Sequence, residues 1–563
     1  MLNKYDNAGN SFIPVCILVA VTLACFIPFV NKAVHIDDYL FLSVARQIQA
    51  HPFDFYGFNV NWYYGEEPMS LVTKNPPLLC YYLAFVASLA GWSEITLHVA
   101  MLFPTLAGVL GIYFLAKKLG ANPLTATFAG MFTPVFLISG TSLMCDTMMV
   151  SWWVWAVYFW LRGMENDNVI DLLAAAFMIA ACSLTKYYGA SLIPLLLVYS
   201  LVKKRRLGNW LLFMIIPVII LACYQWLTYK MYGVGLLLDA GTYAAKARNL
   251  TGQGITGDLL TGLSFTGGCL ITALFLAPLL WNKRWLAGGA AVLAVIACTL
   301  AGMDKFGVLP LHTRGGVNWL AILQLSLFIV SGLSLIAVTV ADLRKNRDAD
   351  SCLLFCWILG TFVFASLLNW SVSGRNILPM VPAAGIVLAR RLRAEEIDRP
   401  VRSSWLAAAL GLSLLIGLMA TWADYRLADT ARDAAGRIGR AYAQIPGKLW
   451  FQGHWGFQYY MERVGGKPVD FKRSILTRGD IVVTPLQNAN MLFLPDDLVV
   501  HLNTVAISPG GPLSVLFGQG AGFYSSVFGP LPFALGKAQD MEYLVDIYAS
   551  QSQEPLGSYR PVK

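Results

Sequence analysis

The sequence predicts a polytopic α-helical membrane protein that carries a small soluble α/β domain at its C-terminal end. Of its 563 residues, 57% are hydrophobic and only 13% are charged, whereas soluble domains carry about a quarter charged residues. Apolar runs of about 16–24 residues, the length that crosses a bilayer, recur as far as Trp422. The net charge of +9 therefore indicates basic cytoplasmic loops, and no nucleic-acid partner is expected.

Thirteen candidate spans predict a transmembrane domain over residues 1–423 and a soluble domain over residues 424–563. The first span, Phe12 to Val30, has no clear cleavage site after it and is interpreted as a retained signal anchor. The spans begin near Phe12, Ile95, Pro123, Cys145, Val169, Lys186, Asn209, Leu263, Trp285, Val317, Ser351, Asn376 and Ser403.

A further apolar run, Pro76 to Gly91, is short, and the distribution of basic residues decides whether it crosses. If it does not cross, all five basic clusters fall on the side of the N-terminus, which the positive-inside rule identifies as the cytoplasm. We therefore predict a re-entrant or in-plane helix here, and a first outer loop over residues 31–94. The clusters are Lys117-Lys118, Lys203 to Arg206, Lys283-Arg284, Arg344-Lys345 and Arg390 to Arg393.

Local patterns place further elements outside the membrane. Apolar residues at helical spacing from Phe41 to Ile48 predict an amphipathic interfacial helix, with Asp37 and Asp38 at its start. In the tail, "KLWFQG", "GDIVVTP" and "LVVHLNTVAI" predict strands, and "WGFQYYMERVGG" predicts a helix closed by glycines.

Ionisable residues converge on the predicted outer membrane surface. Charges at this depth are costly and usually functional. A carboxylate can take a proton from an attacking hydroxyl, and Lys or Arg can hold a departing phosphate. This combination indicates a substrate in which a sugar is attached to a lipid phosphate. The residues are Asp37, Asp38, Lys74, Asp146, Lys186, Arg314 and Arg375.

Five segments in order carry a resemblance to a known superfamily: "DDYLFLSVA", "TKNPPLLCYYLAF", "SLMCDTMMV", "SLTKYYGASLIPLLL" and "SGRNILPMVPA". Together they resemble the GT-C integral-membrane glycosyltransferases, nearest the branch that holds protein O-mannosyltransferases and the aminoarabinose transferase of lipid A (glycosyltransferase families 39 and 83). The tail segment "WFQGHWGFQYYMER" is similar to the outer domain of bacterial members.

The resemblance implies a GT-C fold in a bacterial inner membrane, with the N-terminus cytoplasmic and the C-terminal domain periplasmic. It implies an inverting glycosyltransferase of envelope glycans that takes a sugar from a polyprenyl-phosphate donor and passes it to a lipid, glycan or protein acceptor. Within the superfamily's pattern, Asp37 corresponds to the catalytic base with Asp38 supporting it, and Asp146 to a second acidic residue. Lys74 would contact the carrier phosphate, and the remaining candidates at that phosphate are Lys186, Arg314 and Arg375.

Two positions depart from the superfamily's pattern. Leu40 stands where many relatives have an Arg, so one expected phosphate contact is missing. Asn75 is inserted after Lys74, which changes the reach of that lysine.

Several alternatives stay open at this point. Asp37 could simply cap the interfacial helix, Asp146 could be a solvated loop acid, and the lysines could extend to lipid headgroups. A divalent cation, Mg or Mn, on Asp37 and Asp38 is one option, with His35 as a further ligand. The chain could instead be a transporter or flippase of lipid-linked or anionic substrates, or an inactive homologue that acts as a scaffold.

Overall fold

The computed structural model describes residues 11–252, 254–396, 402–550 and 556. The helices are α1 (Phe12–Phe26), α2 (Asp38–Ala50), α3 (Met69–Val72), α4 (Leu78–Ala90), α5 (Glu94–Lys118), α6 (Pro123–Met131), α7 (Pro134–Gly140), α8 (Asp146–Asn166), α9 (Val169–Thr185), α10 (Leu192–Lys204), α11 (Trp210–Tyr232), α12 (Leu236–Thr251), α13 (Ile255–Cys269), α14 (Thr272–Leu280), α15 (Lys283–Ala301), α16 (Trp319–Asn346), α17 (Ala349–Val363), α18 (Gly374–Ile377), α19 (Val381–Glu396), α20 (Ser403–Tyr442) and α21 (Trp455–Arg463). The strands are β1 (Asn59–Trp62), β2 (Gly65–Pro68), β3 (Lys305–Phe306), β4 (Leu309–Pro310), β5 (His312–Thr313), β6 (Gly316–Val317), β7 (Leu449–Phe451), β8 (Lys467–Pro468), β9 (Ile481–Pro485), β10 (Val499–Ile507), β11 (Leu513–Ser514), β12 (Ala534–Leu535) and β13 (Met541–Tyr548).

The chain is a helical membrane protein. Within the described residues, seven helices are long and apolar enough to cross a bilayer, and the number rises to nine if two bent pairs each count as one span. The pairs are α6 with α7, bent by 70°, and α13 with α14, bent by 82°. The other four predicted spans correspond to α8, α9, α10 and α19, which are helical but shorter or less apolar. The count of thirteen therefore stays a prediction.

The short apolar run after Pro76 forms α4, which has only 13 residues. At 1.5 Å per residue such a helix is about 20 Å long, whereas a hydrocarbon core is about 30 Å thick. Helix α4 packs against α2 and α5. This length agrees with a run that does not cross the membrane by itself.

The boundary predicted at residue 423 falls inside a continuous helix. Helix α20 has 40 residues and continues to Tyr442, about 20 residues beyond that boundary. After it, the described tail contains a five-stranded sheet in the order β10-β13-β9-β7-β8. Strands β7, β9 and β10 and helix α21 occupy the four segments where the sequence predicts them, whereas β8 and β13 are not predicted.

The tail shares its hydrophobic core with the helical part. One continuous cluster of buried apolar residues extends from Phe26 and Leu137 among the membrane helices to Phe457, Phe523 and Tyr543 in the tail. Helix α21 packs on both α20 and α2. The tail is therefore fixed against the outer loop that carries Asp37.

Candidate active site

A cavity of about 940 Å³ lies where the outer loop, the helical part and the tail meet. Five of the seven residues predicted from the sequence line it: Asp37, Lys74, Asp146, Lys186 and Arg375. They come from segments that are far apart in the chain, and they bring two carboxylates and three cations to one space.

Asp37 stands at the entrance to α2 and faces the cavity. Its side chain is 26% exposed, and its Oδ2 accepts a hydrogen bond from Nη2 of Arg375 at 3.1 Å. It occupies the N-cap position but makes no side-chain capping bond to α2. The preceding residue, Ile36, has φ +46°, a conformation that is rare for a β-branched residue and costs free energy. The fold therefore orients this carboxylate toward Arg375, and the capping interpretation does not account for the side chain.

Asp38 does not line the cavity, and its side chain binds the backbone instead. It is fully buried, and its two oxygens accept hydrogen bonds from the backbone N–H groups of His35 and Leu143, each at 3.0 Å. Burial raises the pKa of Asp38 to about 7, while the nearby Lys32 and the two backbone donors act in the opposite direction. Asp38 thus ties the turn before α2 to the turn before α8, and its predicted role in support of Asp37 stays a prediction.

Arg375 contacts the outer loop, the helical part and the tail. It lies in the short helix α18, donates from Nη1 to Sδ of Met144 at 2.8 Å, and stacks 5.8 Å from the ring centroid of Tyr524. Its Nε is buried and has no hydrogen-bond partner among the described residues. Buried donors are nearly always satisfied, so the lack of a partner makes Arg375 a candidate contact for an anionic ligand.

Asp146 and Lys186 form the second pair of opposite charges. Asp146 begins α8 and Lys186 follows the last residue of α9, which brings Nζ within 2.5 Å of Oδ1. Asp146 is only 1% exposed, and its Oδ2 has no hydrogen-bond partner among the described residues. A carboxylate with an unmet acceptor is a candidate to accept a hydrogen bond from a ligand hydroxyl. The position is inconsistent with a solvated loop acid.

Lys74 belongs to a third pair that the sequence did not predict. Its Nζ lies 2.6 Å from Oδ2 of Asp239 in α12 and 5.2 Å from the ring centroid of Tyr243. Both charged side chains are about a fifth to a quarter exposed. Asp239 carries no motif and lies 165 residues away in the chain, so only the tertiary structure identifies it.

Arg314 is not brought to the cavity. It stands between β5 and β6, in the turn after His312 and Thr313, and is exposed. Neither Arg314 nor His312 lines the cavity. The segment forms a surface hairpin in which β5 pairs with β6.

The residues that the sequence nominates for a divalent cation do not fit one together. Both oxygens of Asp38 already accept backbone N–H groups, and Asp37 is paired with Arg375. His35 is directed toward Asp424, with Nε2 3.6 Å from Oδ1. Within the described residues, no group of three or more His, Cys, Asp or Glu is arranged to hold a metal. We therefore derive no step through a metal.

Helix α21 of the tail packs directly on the loop segment that leads to Asp37. A Cβ atom placed on Gly456 would lie 2.0 Å from the carbonyl oxygen of Val34. Tyr460 Oη accepts a hydrogen bond from Val34 N at 2.9 Å, and Tyr39 Oη donates to Glu462 at 2.9 Å. The tail therefore fixes the position of the loop that carries Asp37, a contact that the sequence pattern did not indicate.

His454 gives the tail a pH-dependent stability. Burial lowers the pKa of His454 to about 4, so its ring is neutral at pH 7, where it stacks on Trp62 at 4.4 Å. An unfolded histidine has a pKa of about 6.5. Between these two values the unfolded chain binds more protons than the folded one, so this residue destabilises the fold as pH falls through that window.

We expect His454→Gln to lose less thermal stability than the wild type between about pH 8 and about pH 5. Unfolding in detergent, followed by tryptophan fluorescence, measures both proteins at both pH values. Comparing the two pH values cancels the pH-independent cost of the substitution. An equal loss in both proteins would contradict the assignment.

Comparison with known proteins supports the resemblance stated from the motifs. A family model described as dolichyl-phosphate-mannose-protein mannosyltransferase matches residues 74–229. This range is just over a quarter of the chain and contains Lys74, Asp146 and Lys186. The chain therefore resembles the GT-C membrane glycosyltransferases, and the match supports this over that range. No curated protein matches the chain significantly.

Solved structures show distant likeness. The archaeal oligosaccharyltransferase AglB from Archaeoglobus fulgidus, solved with an inhibitory peptide and a dolichol-phosphate, is 14% identical with a TM-score of 0.45, over 84% of this chain and 68% of that chain. ArnT from Cupriavidus metallidurans, bound to undecaprenyl phosphate, is 14% identical with a TM-score of 0.42, over 85% and 94%. Arabinofuranosyltransferase AftD from Mycobacteria is 12% identical with a TM-score of 0.40, over 97% and 40%. Likeness at this level carries no inference about activity.

Proposed function

We propose that this protein is an inverting glycosyltransferase that takes a sugar from a polyprenyl-phosphate donor and passes it to a lipid, glycan or protein acceptor. The reaction takes place at the outer face of a bacterial cytoplasmic membrane, on the side opposite the basic loops. The family match over residues 74–229 supports the reaction class.

One observation carries the proposal. Arg375 and Asp146 both line the cavity, and each has one buried polar atom, Nε and Oδ2, without a hydrogen-bond partner among the described residues. A cation and a carboxylate that line one cavity, each with an unmet hydrogen bond, fit a ligand that is anionic at one end and hydroxylated at the other. A sugar attached to a lipid phosphate has this composition.

The chemistry is a single displacement at the anomeric carbon. The acceptor hydroxyl attacks this carbon as Asp37 takes its proton, and the bond from carbon to the phosphate oxygen breaks. The polyprenyl phosphate that leaves gains one negative charge, which the cations Arg375, Lys74 and Lys186 stabilise. Attack from the face opposite the leaving group inverts the anomeric configuration.

Three ion pairs hold the charged side chains of the site before substrate binds. Each cation that would hold phosphate is neutralised by a carboxylate: Arg375 by Asp37, Lys186 by Asp146, and Lys74 by Asp239. A bound phosphate competes for these cations. Its approach to Arg375 would release Asp37 from its ion pair and make the carboxylate available to the acceptor hydroxyl.

The test is sugar transfer by the purified protein in liposomes, with a panel of polyprenyl-phosphate sugars labelled in the sugar. A membrane extract supplies acceptors, and a parallel reaction contains EDTA. Labelled product formed from at least one donor supports the proposal, and its chromatographic behaviour identifies the acceptor class. The absence of product with every donor would overturn it, and the EDTA reaction reports whether a metal is needed.

A prediction follows from the contact between α21 and the loop that carries Asp37. The Gly456→Ala methyl group would lie 2.0 Å from the carbonyl oxygen of Val34, so the loop segment before Asp37 must move. Since a displacement of about 1 Å can cost about 10²-fold in rate, we expect transfer to fall by up to that factor while donor binding persists. Initial rates and polyprenyl-phosphate binding are measured on the same preparation.

The matched control is Gly411→Ala in α20, where a Cβ meets nothing within 4 Å. Alanine has a higher helix propensity than glycine, so this variant should keep wild-type transfer. Wild-type transfer by Gly456→Ala as well would show that α21 does not set the position of Asp37.

A further inference from the structure

The wall of the cavity that the tail contributes differs in charge from the rest. Its members are Trp455, Ala489, Asn490, Leu516, Tyr524, Ser525 and Phe528, and none is a charged residue. All five charged residues that line the cavity come from the outer loop and the helical part. The phosphate end of a donor is therefore expected at the helical wall, and the tail wall suits a neutral ligand.

Trp455 is held in this wall by a strained backbone. It has φ +65°, a conformation that is a genuine outlier for a bulky side chain, and Asn490 in the same wall has φ +55°. Such strain persists only where the surroundings enforce it, and it clusters at ligand sites. Here the N–H of His454 donates to Asn488 Oδ1 at 2.7 Å, which fixes the residue just before Trp455.

Neighbouring rings support the indole of Trp455 without covering it. Phe517 lies 6.1 Å and Phe528 6.2 Å from it between ring centroids, and these two rings are 5.0 Å apart. Trp455 and Phe528 both remain half-buried and line the cavity. Trp62, from the outer loop, lines the cavity as well and is held by its stacking on His454.

The aromatic and uncharged polar side chains of this wall suit a sugar. An aromatic face packs against the C–H face of a sugar ring, because the negative face of the ring system attracts the weakly positive C–H groups. The amide of Asn490 and the hydroxyl of Ser525 provide both donors and acceptors for the sugar hydroxyls at the ring edge. The lack of charge in this wall makes it a poor site for a phosphate or an ionised peptide.

We infer that the tail wall binds a saccharide unit of the acceptor, with Trp455 as the stacking surface; this rests on the proposed glycosyltransferase function. Pockets for one ligand have volumes of about 300–1,000 Å³, so a cavity of about 940 Å³ has room for the donor head and an acceptor sugar together. The acceptor is then a glycan or glycolipid, and Trp455 contributes to the choice between these and a protein.

The experiment measures binding of methyl glycosides of glucose, mannose, galactose and N-acetylglucosamine to the purified protein by saturation-transfer NMR. We expect at least one to bind the wild type, and Trp455→Ala to bind it about tenfold more weakly, the loss of one aromatic contact. Trp455→Phe should keep part of the affinity. Trp226→Ala, which removes an exposed tryptophan of α11, is the matched control and should bind as the wild type does.

Binding of polyprenyl phosphate by each variant shows that the cavity is intact. Unchanged glycoside binding by Trp455→Ala, or no binding of any glycoside by the wild type, would overturn the inference. A short serine- and threonine-containing peptide that binds at Trp455 in place of the glycosides would overturn it too. These outcomes are separate from failure of the proposed function, which would appear as wild-type protein that binds glycosides at Trp455 but transfers sugar from no donor.

Discussion

Asp37→Asn is expected to lower the rate of sugar transfer by about 10²–10⁴-fold, the usual contribution of a general base. Asparagine keeps the size of the side chain and an oxygen that Arg375 can contact, but it cannot take a proton from the acceptor hydroxyl. Because the cations that hold the phosphate remain, binding of polyprenyl phosphate should persist. Initial rates with a labelled donor, together with polyprenyl-phosphate binding, separate the loss of chemistry from a loss of binding.

The matched control is Asp54→Asn, which makes the same chemical change at an exposed residue of the same outer loop. Asp54 does not line the cavity, so this variant should transfer sugar at the wild-type rate. If Asp37→Asn transferred sugar as fast as Asp54→Asn, the carboxylate of Asp37 would have no role as the base.

Asp424→Asn is expected to lower the free energy of unfolding by about 3–5 kcal/mol, the cost of leaving a buried charge unpaired. Lys32 and Asp424 are both fully buried, and Nζ lies 2.5 Å from Oδ2. Asp424 also accepts a hydrogen bond from Tyr524 Oη at 2.9 Å. The pair joins the turn before Asp37, helix α20 and the tail. Unfolding in mixed micelles of increasing SDS fraction measures the loss.

The control for this pair is the double variant in which Lys32→Met is combined with Asp424→Leu. Replacing a whole buried ion pair by apolar side chains is often neutral, whereas removing one partner is not. The double variant should therefore recover much of the stability lost by Asp424→Asn, apart from the unmet hydroxyl of Tyr524. A double variant less stable than Asp424→Asn would contradict the account of a mutually compensated pair.

The sequence located most of the site because its charges are rare and occur at the ends of apolar runs. A charge at such a position is costly unless it is used, so Asp37, Asp146 and Lys186 stood out without any knowledge of their contacts. The same reasoning could not separate Asp37 from Asp38. Successive residues at a helix start point about 100° apart, and only the packing shows that the second carboxylate turns away to the backbone of Leu143.

What the sequence did not show depends on contacts between distant segments. Asp424 lies 392 residues from Lys32, and neither carries a motif. The tail was predicted as a separate domain because its composition changes, yet α20 extends through that boundary and α21 packs on α2. Trp455 and Tyr524 line the cavity only because of this packing.

The most direct test of the proposed sugar transfer labels the sugar and the phosphate of the donor separately. A polyprenyl-phosphate sugar carrying tritium in the sugar and ³²P in the phosphate is added to liposomes that contain the purified protein and an acceptor extract. The account predicts that tritium moves to a new glycosidic product while ³²P stays in the lipid as polyprenyl phosphate, one for each sugar transferred. If both labels instead cross the bilayer together in intact donor, the protein is a transporter of lipid-linked sugar and the proposed chemistry at Asp37 is wrong.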